Sequence, residues 1–223
     1  MAFATRTKFT EQLNDVEDLL KRFADKTTAD IRAVDLVAKG DDGAAEGVTG
    51  GRKEENRLRG SIEDTCFDIM LLQQPLIGED FRFVTGAFRV VSDLSHIDGM
   101  TRDAVYLLQE VPAEEAARLA DEYTILASNA ATMVANAVKA FLKVDVEKAE
   151  QVIESDETVN NTYTKAEEKL VRLIRDESIS PRYLPELLMV AKYFERMGDL
   201  GKAIADWAIF RATGKHNGDT KAE

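Results

Sequence analysis

Two acidic side chains near the end of the chain lie four residues apart on a segment with helical apolar spacing. Glu195 and Asp199 therefore project from one helical face, where their charges repel unless a cation lies between them. Oxygen-rich sets of this kind suit magnesium, manganese, calcium or iron. Such a pair is also common on solvated helix surfaces, so by itself it does not define a site.

A third acid lies on the preceding predicted helix. Asp156 occupies a line of apolar positions that includes Val152 and Val159 and repeats in steps of four and three, which is typical of a buried helix face. A buried carboxylate is costly unless it is paired or bound to a metal. Two interpretations follow: Asp156 faces the two acids described above around a metal, or it lies near solvent at a frayed helix end.

The helix that carries Glu195 and Asp199 has small residues along its own buried face. Gly198 and Gly201 lie in the middle of that face, although glycine inside a helix costs about 1 kcal/mol relative to alanine. Small side chains allow a neighbouring backbone to approach closely. We therefore expect another helix to pack tightly there.

These residues must be positioned by helices, because strand patterns are nearly absent and apolar spacing of three and four recurs over long windows. Long helices joined by short loops pack side by side as antiparallel bundles. The spacing and the four prolines predict six helices, over residues 8–38, 42–74, 79–110, 112–142, 145–177 and 183–213. Five glycines between residues 40 and 51 predict an irregular start to the second one.

The two halves of the chain are related by an internal repeat. The segment GDDGAAEGVTGGRKEENRL parallels VDVEKAEQVIESDETVNNTY, and RVVSDLSHIDGMTRDA parallels AKYFERMGDLGKAIAD. We therefore predict an all-α fold of two tandem three-helix bundles, over residues 1–110 and 111–214, followed by a flexible tail over 215–223.

The repeat also supplies an internal comparison for the acids. Arg52 aligns with Asp156, while Ser95 and Gly99 align with the other two acids. A metal site is therefore predicted in the second repeat.

In the first repeat, Asp98 falls on the predicted buried face. We expect it to form an ion pair with Arg52 or Arg59. An alanine at position 98 should then destabilise the fold.

Composition narrows the classes of partner. The formal charge of −12 argues against nucleic acid and against electrostatic docking to anionic lipid. The least polar stretch, residues 123–142, contains polar side chains and is predicted to be a packed core helix and not a membrane span. Cys66 is predicted to be a buried thiol, and the chain start lacks the apolar core of a signal peptide, so we expect a cytoplasmic protein.

Three stretches carry a resemblance to a known family. ESDETVN, LLQQPLIGEDFR and YFERMGDLGKAIADWAIFRATGK resemble the motifs of the PhoU family of phosphate-uptake regulators, and the likeness extends over nearly the whole chain. It implies tandem three-helix bundles with clustered carboxylate metal sites, often of iron or zinc, with magnesium or manganese also proposed. The implied ligands are Asp156, Glu195 and Asp199, with Asn160 as a further ligand and Asp206 as a weaker one.

The resemblance also implies a role. Such proteins are non-enzymatic, often dimeric regulators that mediate between the ATPase of a phosphate ABC transporter and a membrane sensor kinase, and repress phosphate-starvation genes. A helical adaptor without metal is the alternative. An enzyme with a carboxylate-bridged di-metal centre is disfavoured, because helical Glu-x-x-His pairs are absent from the sequence.

Overall fold

The computed structural model describes residues 2–73 and 75–217, with side chains from residue 7 onward. Within those residues it contains helices and no strand, which confirms the all-α prediction. The α-helices are α1 (Ala2–Ala38), α2 (Asp42–Gly50), α3 (Arg52–Leu72), α4 (Gly78–Gln109), α5 (Ala113–Ala116), α6 (Ala120–Lys143), α7 (Val146–Arg175) and α8 (Leu184–Thr213).

The helices pack as two groups of three long members. In the first half, α1, α3 and α4 contact one another, and in the second half α6, α7 and α8 do the same. The groups are joined lengthwise, because α1 packs against α6 and α4 packs against α8. This arrangement confirms the predicted pair of tandem three-helix bundles.

The predicted second helix is divided into two. Helix α2 begins at an N-cap, Asp41, whose side chain accepts a hydrogen bond from the Ala44 N–H at 3.0 Å, and it ends at Gly50. Helix α3 then starts at Arg52. The glycines of this segment lower its helix propensity, so the chain bends where the spacing alone predicted one continuous helix.

Helix α6 is the core helix of the second half. Residues Ala113–Lys143 are long and apolar enough to cross a membrane by composition, but more than half of their most apolar window is buried inside the protein. Tyr123 shows how that burial is completed, because its hydroxyl is enclosed and donates to the Leu187 carbonyl at 2.7 Å. The stretch packs as predicted.

A buried arginine ties the two halves together. Arg211 on α8 donates to the Phe141 carbonyl at 2.8 Å and lies 3.4 Å from Glu79 of α4 and 3.7 Å from Glu17 of α1. Its guanidinium also lies 4.3 Å from the ring centroid of Phe83. One side chain therefore contacts helices from both groups.

A close approach between the halves can be tested at Gly86 on α4. A Cβ there would lie 2.7 Å from a ring carbon of Phe141 on α6, so we expect Gly86→Ala to lower the free energy of unfolding by about 1–3 kcal/mol. Gly60→Ala in α3 is the matched control, because no atom lies within 4 Å of its added methyl group and it should raise stability by up to about 1 kcal/mol. Urea unfolding measures both, and equal effects would contradict the proposed close packing.

Candidate metal centre

Asp156 is buried on α7, so the alternative that it lies near solvent at a frayed helix end is wrong. It is 6% exposed, and its Oδ2 accepts from Lys202 Nζ at 3.0 Å and from the Asn160 amide at 3.4 Å. Its other oxygen, Oδ1, is enclosed and has no hydrogen-bond partner among the described residues. A buried carboxylate oxygen without a donor is costly, and such an atom could accept a hydrogen bond or a cation.

The two acids on α8 lie on the same side of the bundle as Asp156. Glu195 accepts from Lys192 at 2.7 Å through Oε1, while its Oε2 is enclosed and has no partner in the described part of the chain. Asp199 is more exposed, yet its burial, followed by the charges of Glu195 and Asp156, raises the pKa of its carboxyl. The three acids therefore share one electrostatic environment.

The acids of the second repeat do not converge on one point. Within the residues described, the group of three acidic side chains whose ligand atoms lie within 4.8 Å of one another is a different one. Lys202 and Lys192 neutralise the second-repeat acids, and their side chains are 46% and 36% exposed. Both lysines reach solvent, so a metal ion could replace them beside the acids without leaving the carboxylates unpaired.

The converging group lies in the first repeat and consists of Asp30 on α1, Glu55 on α3 and Asp98 on α4. All three are buried, with exposures of 9%, 2% and 4%. The sequence prediction missed Asp30 and Glu55. A signal was present at Glu55, because it begins an apolar line continued by Leu58 and Ile62, which is the pattern that identified Asp156.

Two cations are inserted between these carboxylates. Lys26 Nζ lies 2.6 Å from Asp30 Oδ2 and 3.1 Å from Glu55 Oε1, while Arg102 contacts Glu55 Oε2 and lies 2.5 Å from Asp98 Oδ2. The side chains of Lys26 and Arg102 are only 20% and 13% exposed. Gly51 makes room for the lysine, because a Cβ at that position would overlap its amine. The cluster is therefore closed, and its two cations offset two of its three carboxylates.

The expected partner of Asp98 was wrong. Asp98 pairs with Arg102, one turn along the same helix, and not with Arg52 or Arg59. Both of those arginines are exposed on α3, and Arg59 pairs with Glu63 at 2.8 Å. A buried acid is reached more readily by an arginine already inside the packed face.

The two repeats use the same contact point differently. In the second repeat, a Cβ at Gly198 would touch Val159 at 3.4 Å and Met133 at 3.6 Å, so an apolar contact joins α8, α7 and α6. The repeat alignment pairs Gly198 with Asp98 and Val159 with Glu55. The first repeat therefore places carboxylates at the point where the second places apolar atoms.

Burial dominates the titration of this cluster. It raises the pKa of Asp98 to about 7 and that of Asp30 to about 6, in each case against the opposing effect of the neighbouring cation. Glu55 adds to both shifts because its negative charge is close by. Asp98 therefore holds a proton in the folded chain at a pH where an ordinary aspartate has lost it.

Asp206, the weaker candidate ligand, lies apart from these acids and has other partners. Its Oδ2 lies 2.5 Å from His216 Nδ1, and its Oδ1 accepts from the Asn217 N–H at 2.7 Å. The His216 ring stacks on Phe210 with 4.8 Å between centroids. Asp206 thus fastens the start of the predicted tail onto α8, and residues 218–223 of that tail lie outside the described chain.

Comparison with known proteins gives consistent results. The protein-family model for the PhoU domain matches residues 20–100 and 123–208. A phosphate-specific transport system accessory protein PhoU homolog of Clostridium acetobutylicum is 22% identical, with 95% of this chain and 97% of that protein covered. A homolog of Methanothermobacter thermautotrophicus is 25% identical, with 93% and 95% covered.

Solved structures show the same likeness. The crystal structure of PhoU from Pseudomonas aeruginosa aligns with a TM-score of 0.84 at 26% identity, covering 93% of this chain and 100% of that one. The phosphate transport system regulatory protein PhoU from Streptococcus pneumoniae aligns with a TM-score of 0.81 at 20% identity, covering 93% and 98%. The second comparison supports the fold alone.

The protonation of Asp98 can be tested with Asp98→Asn, which mimics the protonated acid. The folded-state pKa of Asp98, about 7, lies above its unfolded value near 4, so its contribution to stability is fully present below pH ~4 and is lost as the pH rises through about 7. Between these limits the asparagine variant should gain stability relative to wild type by about 1.4 kcal/mol per pH unit. Urea unfolding from pH 4.5 to 8 measures the difference.

Asp98→Ala is the control for this experiment. It also removes the titration, but it leaves Arg102 with a lost partner and a void, so its melting temperature should fall at every pH. An unchanged melting temperature would contradict a structural role for the cluster. Parallel pH curves for wild type and Asp98→Asn would contradict the raised pKa.

Proposed function

The chain belongs to the PhoU domain family, and from this membership we propose that it is a cytoplasmic regulator of phosphate uptake. The observation that carries the proposal is the two-part match of the family model to most of the chain. Relatives that cover nearly its full length are named accessory proteins of the phosphate-specific transport system. An accessory role in phosphate transport is the common element.

We propose that the chain acts through protein contacts and not through catalysis. Its partners are the ATPase of a phosphate ABC transporter and a membrane sensor kinase, and its effect is to repress phosphate-starvation genes when phosphate is plentiful. We expect it to work as a homodimer. The net charge of −12 supports protein partners over nucleic acid.

We further propose a metal ion in the second repeat, held by Asp156, Glu195 and Asp199 with the Asn160 amide oxygen as an additional ligand. The donor set fits a hard cation, because it consists of carboxylate and amide oxygens. Two enclosed oxygens without donors among the described residues, Asp156 Oδ1 and Glu195 Oε2, are compatible with this assignment, and Asp98 Oδ1 of the first-repeat cluster shares the same property. When bound, the ion would supply positive charge that draws the three carboxylates together and orders this face of the bundle.

The first-repeat cluster fits a metal less well, although its carboxylates converge. Each of the two clusters contains three acidic and two basic side chains, so the number of charges does not show which cluster is the better metal site. The difference is whether the basic groups can leave. Lys202 and Lys192 extend into solvent, whereas Lys26 and Arg102 are held among buried groups, and their removal would leave buried charge unpaired.

An adaptor without metal is the second candidate. Lys202 at 3.0 Å from Asp156 and Lys192 at 2.7 Å from Glu195 favour it, because they already neutralise two of the three acids. In that case, the carboxylate face would be a permanently ion-paired part of the helix surface. Metal binding therefore separates the two candidates.

Metal content should depend on the second repeat. Purified chain is equilibrated separately with iron, zinc, manganese and magnesium, and bound metal is counted by mass spectrometry after gel filtration. We expect Glu195→Ala with Asp199→Ala to lose the bound metal, because two of the ligands are removed. Asp30→Asn with Asp98→Asn is the matched control and should keep it.

If the variant with Asp30→Asn and Asp98→Asn loses the metal and the variant with Glu195→Ala and Asp199→Ala keeps it, the metal site lies in the first repeat. A wild-type chain that binds none of the four metals would favour the adaptor. Circular dichroism and melting of each variant show whether a loss of metal reflects a loss of fold.

The regulatory proposal is tested in the host. Deleting the gene should raise expression of phosphate-starvation genes in phosphate-rich medium, and the wild-type chain should restore repression. Messenger RNA levels measure the response. Expression that does not change after deletion would refute the regulatory role, whatever the metal content of the protein.

A further inference from the structure

The connection between α3 and α4 exposes an unusual amount of apolar surface. We define the apolar tip as residues 67–81, excluding residue 74, which the structure does not describe. Large apolar side chains that are between 46% and 71% exposed are concentrated there: Phe67, Leu71, Leu72, Ile77 and Phe81. Contiguous exposed apolar surface on a folded chain marks an interaction site.

The apolar tip also contains an open depression. Met70, Pro75 and Leu76 line an open depression whose fourth side is Phe81. The ring of Phe67 packs against the ring of Phe88 in an edge-to-face contact, with 5.2 Å between the two ring centroids. At least one exposed side chain of the apolar tip is therefore held in place by packing against α4.

The rim of the apolar tip carries one sign of charge. Residues 60–81 contain five acids and no lysine, arginine or histidine. Four of these acids are exposed, namely Asp64, Asp68, Glu79 and Asp80, and of these Glu79 lies 3.4 Å from Arg211. An apolar centre with an acidic rim is complementary to an apolar surface with a basic rim.

The equivalent connection of the second repeat exposes less apolar surface and carries both signs of charge. Val171 near the end of α7 is 51% exposed, but Ile179 is only 4% exposed, and Leu173, Ile174 and Leu184 are partly buried against the core. That connection also carries the basic residues Arg175 and Arg182. The apolar tip is therefore a property of the first repeat and not a general feature of this helix arrangement.

We infer that the apolar tip is a docking surface for a basic amphipathic segment of a partner protein. An amphipathic helix would place its apolar face in the depression and its lysines or arginines over the acidic rim. A second copy of the chain fits less well, because a twofold contact would bring two acidic rims together. Anionic lipid fits less well for the same electrostatic reason.

This inference rests on the proposed function, because it names the surface through which the regulator would contact a partner. The two are tested separately. The docking surface is measured on purified protein with a defined peptide, whereas the regulatory role is measured by gene expression in the host. Failure of one experiment leaves the other result interpretable.

The test uses a synthetic peptide of about four helical turns, with leucine on one face and lysine on the other. Affinity is measured by fluorescence anisotropy, and the contact is located by hydrogen exchange. We expect protection of residues 67–81 on binding. We expect Leu71→Ser with Ile77→Ser to weaken binding about tenfold or more, because two anchors are lost.

Two further variants separate charge from fold. Asp68→Asn with Asp80→Asn should weaken binding and reduce its dependence on salt, because the acidic rim is removed. Ile125→Ser with Val171→Ser is the matched control, since both side chains are about half exposed but lie outside the apolar tip. It should leave affinity unchanged.

Specific outcomes overturn the inference. These are protection elsewhere on the chain, equal binding of a peptide with glutamate in place of lysine, or equal losses in the test and control variants. Two alternatives are measured alongside. Sedimentation that shows dimerisation abolished by Leu71→Ser with Ile77→Ser would assign the surface to a second copy. Binding of the chain to phosphatidylglycerol vesicles with the same sensitivity would assign it to lipid.

Discussion

The third long helix of each half must lie in contact with the two helices before it, and the packing of each bundle depends on that contact. In the second half the contact is made by atoms without charge, because Gly198 allows Val159 and Met133 to close against α8. In the first half the corresponding place is filled by Asp98 and Glu55, together with Asp30. At this one point, the same helical arrangement is therefore filled by apolar atoms in the second half and by buried ion pairs in the first.

This difference has a consequence for how the two halves can respond to their surroundings. The first-half carboxylates are enclosed with their cations, so their arrangement is costly to change. The second-half carboxylates lie beside lysines that reach solvent, so their arrangement can change without unpacking the core. The enclosed cluster and the apolar tip therefore lie in one half, and the more exposed acids of the proposed metal site lie in the other.

Much of the fold could be predicted, because helical spacing, prolines and duplication are local properties of the chain. The burial of Asp156 followed from an acid occupying an apolar line. The partner of Asp98 could not be predicted in the same way, because it depends on which arginine is enclosed between helices. Asp30 lies on α1, which the repeat comparison of acids did not include. The close approach of Lys26 to Gly51 could not be predicted either, because it is a tertiary contact.

Cys66, the single cysteine of the chain, lies fully enclosed in the first half, and burial raises the pKa of its thiol to about 12, with a further contribution from Glu63. Because the thiolate is the reactive form, this side chain is inert toward alkylating reagents while its bundle is closed. It becomes reactive when the helices around it separate. The rate at which Cys66 is alkylated therefore reports how often the first half opens. Because Cys66 does not react in the closed protein, a second cysteine introduced on the surface could be labelled selectively.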